Sequence, residues 1–137
     1  MNYINRKWLD YIWGSIGGDV DYPDLVLKDM KNIENFDILM SKYIKPSFDS
    51  FPSEVSQVIK NTWKFAINNY DDETLEKSFE SGIPPFELPN NPREFYIKVW
   101  ESLFFKESWY LESNESFTEI DDPRINPWDW VEKRQTR

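Results

Sequence analysis

Apolar residues recur every three or four positions along most of this chain, which is the spacing that one face of an amphipathic helix produces. The clearest case begins at Ser53, a residue type suited to cap a helix, and continues to Tyr70. Its apolar stripe consists of Val55, Val58, Ile59, Thr62, Trp63, Ala66, Ile67 and Tyr70. The positions predicted to face solvent are Glu54, Lys60, Lys64 and Asn68. We expect this segment to be the central helix of the fold.

Shorter helices are predicted on the N-terminal side of this segment. In residues 3–14 the apolar positions share one helical face, and the glycines that follow are expected to end the helix. Pro23 suits the first position of a second helix, where its missing N–H needs no partner. Asn35 is a suitable cap for a third helix, which Pro46 is expected to end before a loop at residues 46–52. The apolar face of the first helix consists of Ile4, Trp8, Tyr11 and Ile12. That of the second consists of Val26, Met30 and Ile33, and that of the third of Phe36, Leu39, Met40, Tyr43 and Ile44.

Two further helices are predicted after the central one. The acidic residues 71–73 suit a helix start, and Gly82 is placed to end that helix after Leu75 and Phe79. The prolines in residues 83–92 indicate a stiff, extended connection. Residues 91–94, Asn-Pro-Arg-Glu, resemble a capping box at the start of the next helix. The apolar positions of that helix are Phe95, Tyr96, Val99, Trp100, Leu103 and Phe104.

The helical period fades beyond Lys106. Residues 108–112 and 117–120 are compatible with a small β-hairpin around the turn between them. Trp128 and Trp130 would point the same way if the chain there were extended. We therefore predict a mainly α fold, a single-domain helical bundle over residues 1–137. It carries a possible small β-hairpin near the C-terminus and an irregular acidic and aromatic segment at about 107–137.

Composition narrows the chemistry that is open to the chain. It contains no cysteine and no histidine, which excludes thiolate zinc sites, Cys or Ser–His nucleophiles and histidine–metal sites. The aromatic content of 18% argues against disorder. No apolar run is long enough to span a bilayer, and the N-terminal residues lack a signal-peptide core. We expect a soluble, cytoplasmic protein without cofactor or bound metal.

The acidic residues are concentrated in the second half of the chain. Residues 1–70 carry nine Asp/Glu and eight Lys/Arg, whereas residues 71–137 carry sixteen and eight. Residues 107–129 hold seven acids and one base, Arg124, so we expect these acids to lack partners within the chain. Charge of this kind steers encounters with a basic protein, and large aromatic residues anchor the contact. The candidate partner-binding residues are Glu107, Trp109, Glu112, Glu115, Glu119, Asp121, Asp122, Trp128, Asp129 and Trp130.

A secondary candidate lies earlier in the chain. Glu73, Glu76 and Glu80 can form an acidic ridge on the predicted helix after residue 71, although helix capping and dipole compensation are the preferred explanation for the first of these acids. The acids at 107–129 also have an ordinary explanation as solvated surface residues. No EF-hand spacing is present, and the overall acidity argues against direct binding to nucleic acid or to an anionic membrane. Partners are expected to be basic proteins.

This combination of small size, acidity, abundant aromatics and absent His and Cys resembles the immunity proteins of bacterial toxin systems. These are the contact-dependent inhibition and polymorphic-toxin pairs. The segment Pro-Arg-Glu-Phe-Tyr-Ile-Lys-Val-Trp-Glu-Ser-Leu-Phe at residues 92–104 is similar to segments near the end of several such families. The resemblance implies a non-enzymatic cytoplasmic protein that neutralises one cognate toxin domain of nuclease type.

Other functions remain open on the sequence. An acidic nucleic-acid mimic would need carboxylates over a long surface, and the nearly neutral first 70 residues weigh against it. A carboxylate-based enzyme such as a glycoside hydrolase would need an acid/base pair, and none is identifiable. An adaptor role is the remaining alternative.

Overall fold

The computed structural model describes residues 2–17 and 22–135, and it confirms a mainly helical fold. Helices account for 59% of the described residues and strands for 5%. The strands are β1 (Asn2–Ile4) and β2 (Phe117–Glu119). The α-helices are α1 (Ile33–Ile38), α2 (Lys45–Ser50), α3 (Ser53–Asn69), α4 (Asp72–Ser81), α5 (Pro92–Leu103) and α6 (Pro127–Gln135). A 3₁₀ helix spans Arg6–Ile16 and a π-helix spans Leu39–Ile44. None of the described helices is long and apolar enough to cross a membrane.

Helix α3 is the central element, as its periodicity predicts. Every residue of its apolar stripe is buried, and it packs against the 3₁₀ helix, β1, α5 and α6. The indole Nε1 of Trp63 donates a hydrogen bond to the Tyr96 carbonyl of α5 at 3.3 Å. Trp13 Nε1 donates to the Tyr96 hydroxyl at 3.1 Å, and this hydroxyl donates to the Leu75 carbonyl at 2.7 Å. Burial raises the pKa of Tyr96, so its hydroxyl stays protonated and ties three helices together.

The predicted starts of α4 and α5 are also confirmed. Asp71 caps α4 by accepting a hydrogen bond from the Thr74 amide at 2.8 Å. Asn91 caps α5 in the same way, with 3.1 Å from its Oδ1 to the Glu94 amide. Leu75 and Phe79 are buried, and α4 ends at Gly82. Ser53 does not cap α3, contrary to expectation, because Pro52 holds the cap position and no side chain binds the first amides of that helix. A short polar residue before an apolar stripe is therefore a cap at Asp71 and Asn91 but not at Ser53.

The N-terminal predictions are only partly right. The helix over residues 3–14 is replaced by β1 and the 3₁₀ helix, with Asn5 as the cap between them and Gly17 as the end. The helix predicted from Pro23 is absent, and residues 23–27 form turns instead. A regular helix is not possible there because Leu27 has φ of 55°, and its amide donates to the Pro85 carbonyl at 2.9 Å.

Pro46 does not end the helical path, contrary to expectation. The chain passes from α1 through the π-helix into α2, which continues to Ser50. In the π-helix the Lys45 amide donates to the Met40 carbonyl five residues back, so a wider turn precedes the proline. Pro46 then occupies the first turn of α2, where a missing N–H is tolerated. Helix α1 is capped by Asn32 rather than by Asn35.

The strand near the C-terminus is present, but it does not form the predicted hairpin. Strand β2 pairs in parallel with β1, with Tyr3 opposite Thr118. Residues 108–112 form no strand, because their backbone is bound by a side chain of α3, as described below. Residues 127–135 are helical, so the condition that Trp128 and Trp130 lie on an extended chain is not met.

Candidate functional site

The acidic segment is defined as residues 107–129, and its first part, residues 107–115, lies across the polar face of α3. This face presents Lys60, Lys64 and Asn68, which are spaced one helical turn apart. Their predicted exposure to solvent is wrong, since the lysine side chains are each only 17% exposed and Asn68 is half-buried. A helical period identifies the polar side of a helix but cannot show that another segment covers it.

Two ion pairs join the acidic segment to α3. Lys60 binds the carboxylate of Glu107, and Lys64 Nζ lies 2.8 Å from Glu115 Oε1. The Lys60 ammonium also lies 4.5 Å from the centre of the Phe104 ring, within range of a cation–π interaction. The expectation that acids in this segment lack partners within the chain is therefore wrong for Glu107 and Glu115.

Hydrogen bonds hold the backbone between these ion pairs. The Asn68 amide donates to the Trp109 carbonyl at 2.8 Å, and its oxygen accepts from the Leu111 amide at 3.3 Å. The Trp100 indole donates to the Glu107 carbonyl at 2.9 Å. These contacts fix residues 107–111, although this part of the chain has no regular secondary structure.

Two carboxylates of the acidic segment have lowered pKa values. The hydrogen bond from Lys64 lowers the pKa of Glu115, and the Glu112 amide adds to this by donating to Glu115 Oε2 at 2.7 Å. The Arg124 amide lowers the pKa of Asp122 by donating to Oδ1 at 3.0 Å. The Arg124 side chain binds the same oxygen at 3.2 Å, so Asp122 also has a partner within the chain. Charge at these two positions is satisfied internally.

The C-terminal half of the acidic segment is fastened to the N-terminal residues. Asn5 donates to the Asp122 carbonyl at 2.9 Å, and the Trp8 indole donates to the Ile125 carbonyl at 2.8 Å. Both acceptors are backbone atoms, so this attachment does not depend on acidic side chains. It places the segment beside the β1–β2 pairing.

The three predicted aromatic anchors pack on their own domain. Trp109 is half-buried against the core. The Trp130 ring lies 5.1 Å from Tyr3, and the Trp128 ring lies 5.5 Å from Tyr11. Trp128 keeps 38% of its surface exposed, so of the three it offers the most surface to a partner.

The remaining acids of the segment are exposed. Glu112, Glu119 and Asp121 form no ion pair with any residue in the described ranges. Asp129 is exposed as well, and its Oδ2 accepts a hydrogen bond from Asn126 at 3.0 Å. The predicted acidic site thus contains carboxylates that bind groups within the chain and carboxylates that form no ion pair with a described residue. We call Glu112, Glu119 and Asp121 the free acids.

The acidic residues of the secondary candidate on α4, Glu73, Glu76 and Glu80, also divide into paired and unpaired carboxylates. Glu73 pairs with Lys77 at 3.1 Å, one turn further along the helix. Glu76 and Glu80 are exposed, and neither pairs with a cation in the part of the chain that the structure describes. The acidic ridge predicted on this helix therefore consists of two free carboxylates one turn apart.

A cavity of 370 Å³ opens between α3 and the acidic segment. Lys60, Lys64, Glu107, Glu112 and Glu115 line it, so cations and carboxylates face each other around it. Among the described residues no group of three or more Asp or Glu is placed to hold a metal ion. The cavity therefore offers polar contacts of both charges.

A second polar pocket was not predicted. Asp10 lies half-buried beside α4, where Ser78 Oγ donates to its carboxylate at 2.6 Å. Burial raises the pKa of Asp10, against the opposing effects of Ser78 and Lys7. In the sequence, Asp10 is marked only by its place between apolar residues of the stretch 3–14, and this position alone does not predict a buried carboxylate.

No protein-family model, no curated protein and no solved structure matches this chain. A functional conclusion therefore depends on the chemistry of the surfaces described above.

Proposed function

We propose that this chain is an immunity protein that neutralises a basic toxin domain, of nuclease type, by binding it through the acidic segment. The observation that carries the proposal is the group of free acids. Glu112, Glu119 and Asp121 are exposed and form no ion pair with a described residue, while their neighbours Glu107 and Glu115 bind lysines of α3. Exposed carboxylates without internal partners are suited to bind external lysine and arginine side chains.

The rigid attachment of the segment strengthens this argument. Ion pairs to Lys60 and Lys64, and hydrogen bonds to Asn68, hold the backbone before a partner arrives. A surface that is already ordered loses little conformational entropy on binding. The acidic segment therefore suits tight association better than a disordered acidic tail would.

Charge also determines how the partner is found. The chain has a net charge of −9, and the excess lies in its second half. A nuclease needs a basic surface to hold its phosphate substrate. An acidic protein that covers such a surface both excludes the substrate and associates quickly. In this proposal the chain acts in the cytoplasm as a binding protein and catalyses no reaction.

The proposal is tested with the toxin domain encoded by the gene beside that of this chain. Expression of that domain alone in a bacterial host is expected to arrest growth, and co-expression of this chain is expected to restore it. The two purified proteins should form a stoichiometric complex on size-exclusion chromatography. A second toxin domain of similar basic charge serves as the control and should remain unbound.

Three results would overturn the proposal. The first would be that the neighbouring gene encodes no toxin. The second would be that the purified toxin domain does not bind this chain, and the third that the control domain binds this chain equally well. The last result would mean that attraction between opposite net charges accounts for the association, without a specific surface.

A further inference from the structure

Tyr110 is an exposed aromatic residue of the acidic segment, and it is not among the candidate residues that the sequence suggested. Its side chain is 61% exposed, whereas that of Trp128 is 38% exposed. Tyr110 and Glu112 line the same cavity between α3 and the acidic segment. An aromatic ring and a carboxylate attract a positively charged side chain through different parts of its surface, so the two groups together can bind one cation.

The same cavity already contains a cation that is bound in this way. The Lys60 ammonium binds the Glu107 carboxylate and lies 4.5 Å from the centre of the Phe104 ring. This cation therefore has one carboxylate and one aromatic ring as partners. Tyr110 and Glu112 present the same two kinds of group further along the acidic segment.

Tyr110 and Glu112 have no cation of their own among the described residues. No lysine or arginine in the described ranges lies over the Tyr110 ring. Glu112 forms no ion pair with a residue of these ranges. The ring contact of Tyr110 is with Trp109, whose ring centre lies 6.0 Å away. Both groups are therefore available to a cation from another protein.

The lysines that line the cavity do not cancel the charge of Glu112. Lys60 binds Glu107 and Lys64 binds Glu115, and each lysine side chain is only 17% exposed. Two cations thus face three carboxylates around the cavity, and Glu112 is the carboxylate that remains without a cation. One further cation would balance the charges that line the cavity.

The backbone at Tyr110 and Glu112 is fixed by hydrogen bonds. The Tyr110 amide donates to Ser108 Oγ at 3.1 Å. The Glu112 amide donates to Glu115 Oε2 at 2.7 Å, and the Glu112 carbonyl accepts from the Glu115 amide at 3.1 Å. Binding therefore has to order only the side chains of the two residues, which keeps the entropy cost small.

We infer that Tyr110 and Glu112 form a pocket for one arginine side chain of the toxin domain. The guanidinium stacks on the Tyr110 ring, and its N–H groups donate to the Glu112 carboxylate. Arginine fits this pair better than lysine because its planar guanidinium stacks on a ring and donates two parallel hydrogen bonds to one carboxylate. The inference rests on the proposed function, and it adds an aromatic contact and the type of partner residue.

Loss of the Tyr110 ring should weaken binding without changing the fold. Tyr110→Leu should raise the Kd for the toxin domain at least about fivefold in isothermal titration calorimetry, because the contact between ring and guanidinium is lost. Tyr110→Phe keeps the ring, so its Kd should stay within about twofold of the wild-type value. The Tm of both variants should stay within about 2 °C of the wild type, since the side chain is exposed.

Phe105→Leu is the matched control. Phe105 is 77% exposed and does not line the cavity, so the same kind of ring is removed from a different place on the surface. Its Kd should equal that of the wild type.

A double-mutant cycle between the two proteins identifies the arginine. Each surface arginine of the toxin domain is changed to alanine in turn. One of these changes should raise the Kd of the wild-type chain at least about fivefold. With that toxin variant, Tyr110→Leu and Glu112→Gln should each change the Kd less than about twofold, because their common partner is already absent.

Four results would overturn the inference while the proposed function stands. The first is an unchanged Kd for Tyr110→Leu, and the second is an equal loss of binding in Tyr110→Phe. The third is an equal loss in Phe105→Leu, and the fourth is that no arginine of the toxin domain couples to Tyr110. Failure of the wild-type chain to bind the toxin domain would overturn both the inference and the proposed function.

Discussion

Lys64 of the central helix and Glu115 of the acidic segment form an ion pair, with 2.8 Å between Nζ and Oε1. Their side chains are only 17% and 27% exposed. Glu115 also accepts the Glu112 amide, so one carboxylate holds both α3 and its own loop. The acidic segment is therefore built partly from its own acids, and its charge is not uniformly available to a partner.

Replacement of Glu115 by glutamine is expected to destabilise the fold by about 1 kcal/mol at neutral pH. The pKa of Glu115 is lowered from its ordinary value of 4.5, so its stabilising contribution is complete above that value. The contribution is lost as the pH falls through the lower pKa of the folded state. Urea unfolding at several pH values should show the wild type and Glu115→Gln converging in acid. A difference that grows in acid would contradict the assigned role of Glu115.

Asp10→Asn is expected to have the opposite pH dependence. Burial raises the pKa of Asp10, so the charged carboxylate opposes folding at neutral pH. Stability is greatest below the ordinary pKa of 3.8 and falls as the pH rises through the higher value of the folded state. The variant should raise Tm by roughly 2 °C at pH 7, with a smaller gain in acid. Thermal melts at both pH values provide the test, and a loss of stability at neutral pH would contradict it.

Gly17→Ala is expected to destabilise the fold by about 1 to 3 kcal/mol. A Cβ atom at this position would overlap the carbonyl oxygen of Gly82, which belongs to the backbone and cannot turn away. Gly14→Ala is the matched control, since a Cβ atom there would meet nothing within 4 Å. Gly14→Ala should leave the free energy of unfolding unchanged or raise it slightly. Equal Tm values for the two variants would show that Gly17 and Gly82 are not in close contact.

The sequence predicts local structure well where one short-range signal dominates. The stripe of α3 and the caps Asp71 and Asn91 are found as expected, because helix period and capping depend on residues within a few positions. Pro46 misleads because the preceding π-helix changes which backbone groups need partners. Strand β2 pairs with β1 at the other end of the chain, and no local pattern specifies that partner.

The sequence shows where the acidic residues are concentrated, but it does not show which of them bind within the chain. Seven acids with one base indicate an unusual segment, but a count of charges cannot show that Lys60 and Lys64 lie beneath it. The difference between Glu115 and the free acids is a matter of tertiary contact. The exposed carboxylates could be separated from the paired ones only once the path of the segment over α3 was known.

The association rate with the toxin domain, measured by stopped-flow at two salt concentrations, shows whether the free acids steer the partner. The variant Glu112→Lys/Glu119→Lys/Asp121→Lys should associate at least about tenfold more slowly at low salt, because the free acids no longer steer the partner. The difference in association rate between the wild type and this variant should become smaller at high salt, because salt screens the charges. Glu34→Lys/Asp37→Lys, on α1, is the control and should change the rate much less. The triple variant changes the net charge by six units and the control by four, so slowing in that proportion would contradict the account, because the acidic segment would then contribute only net charge.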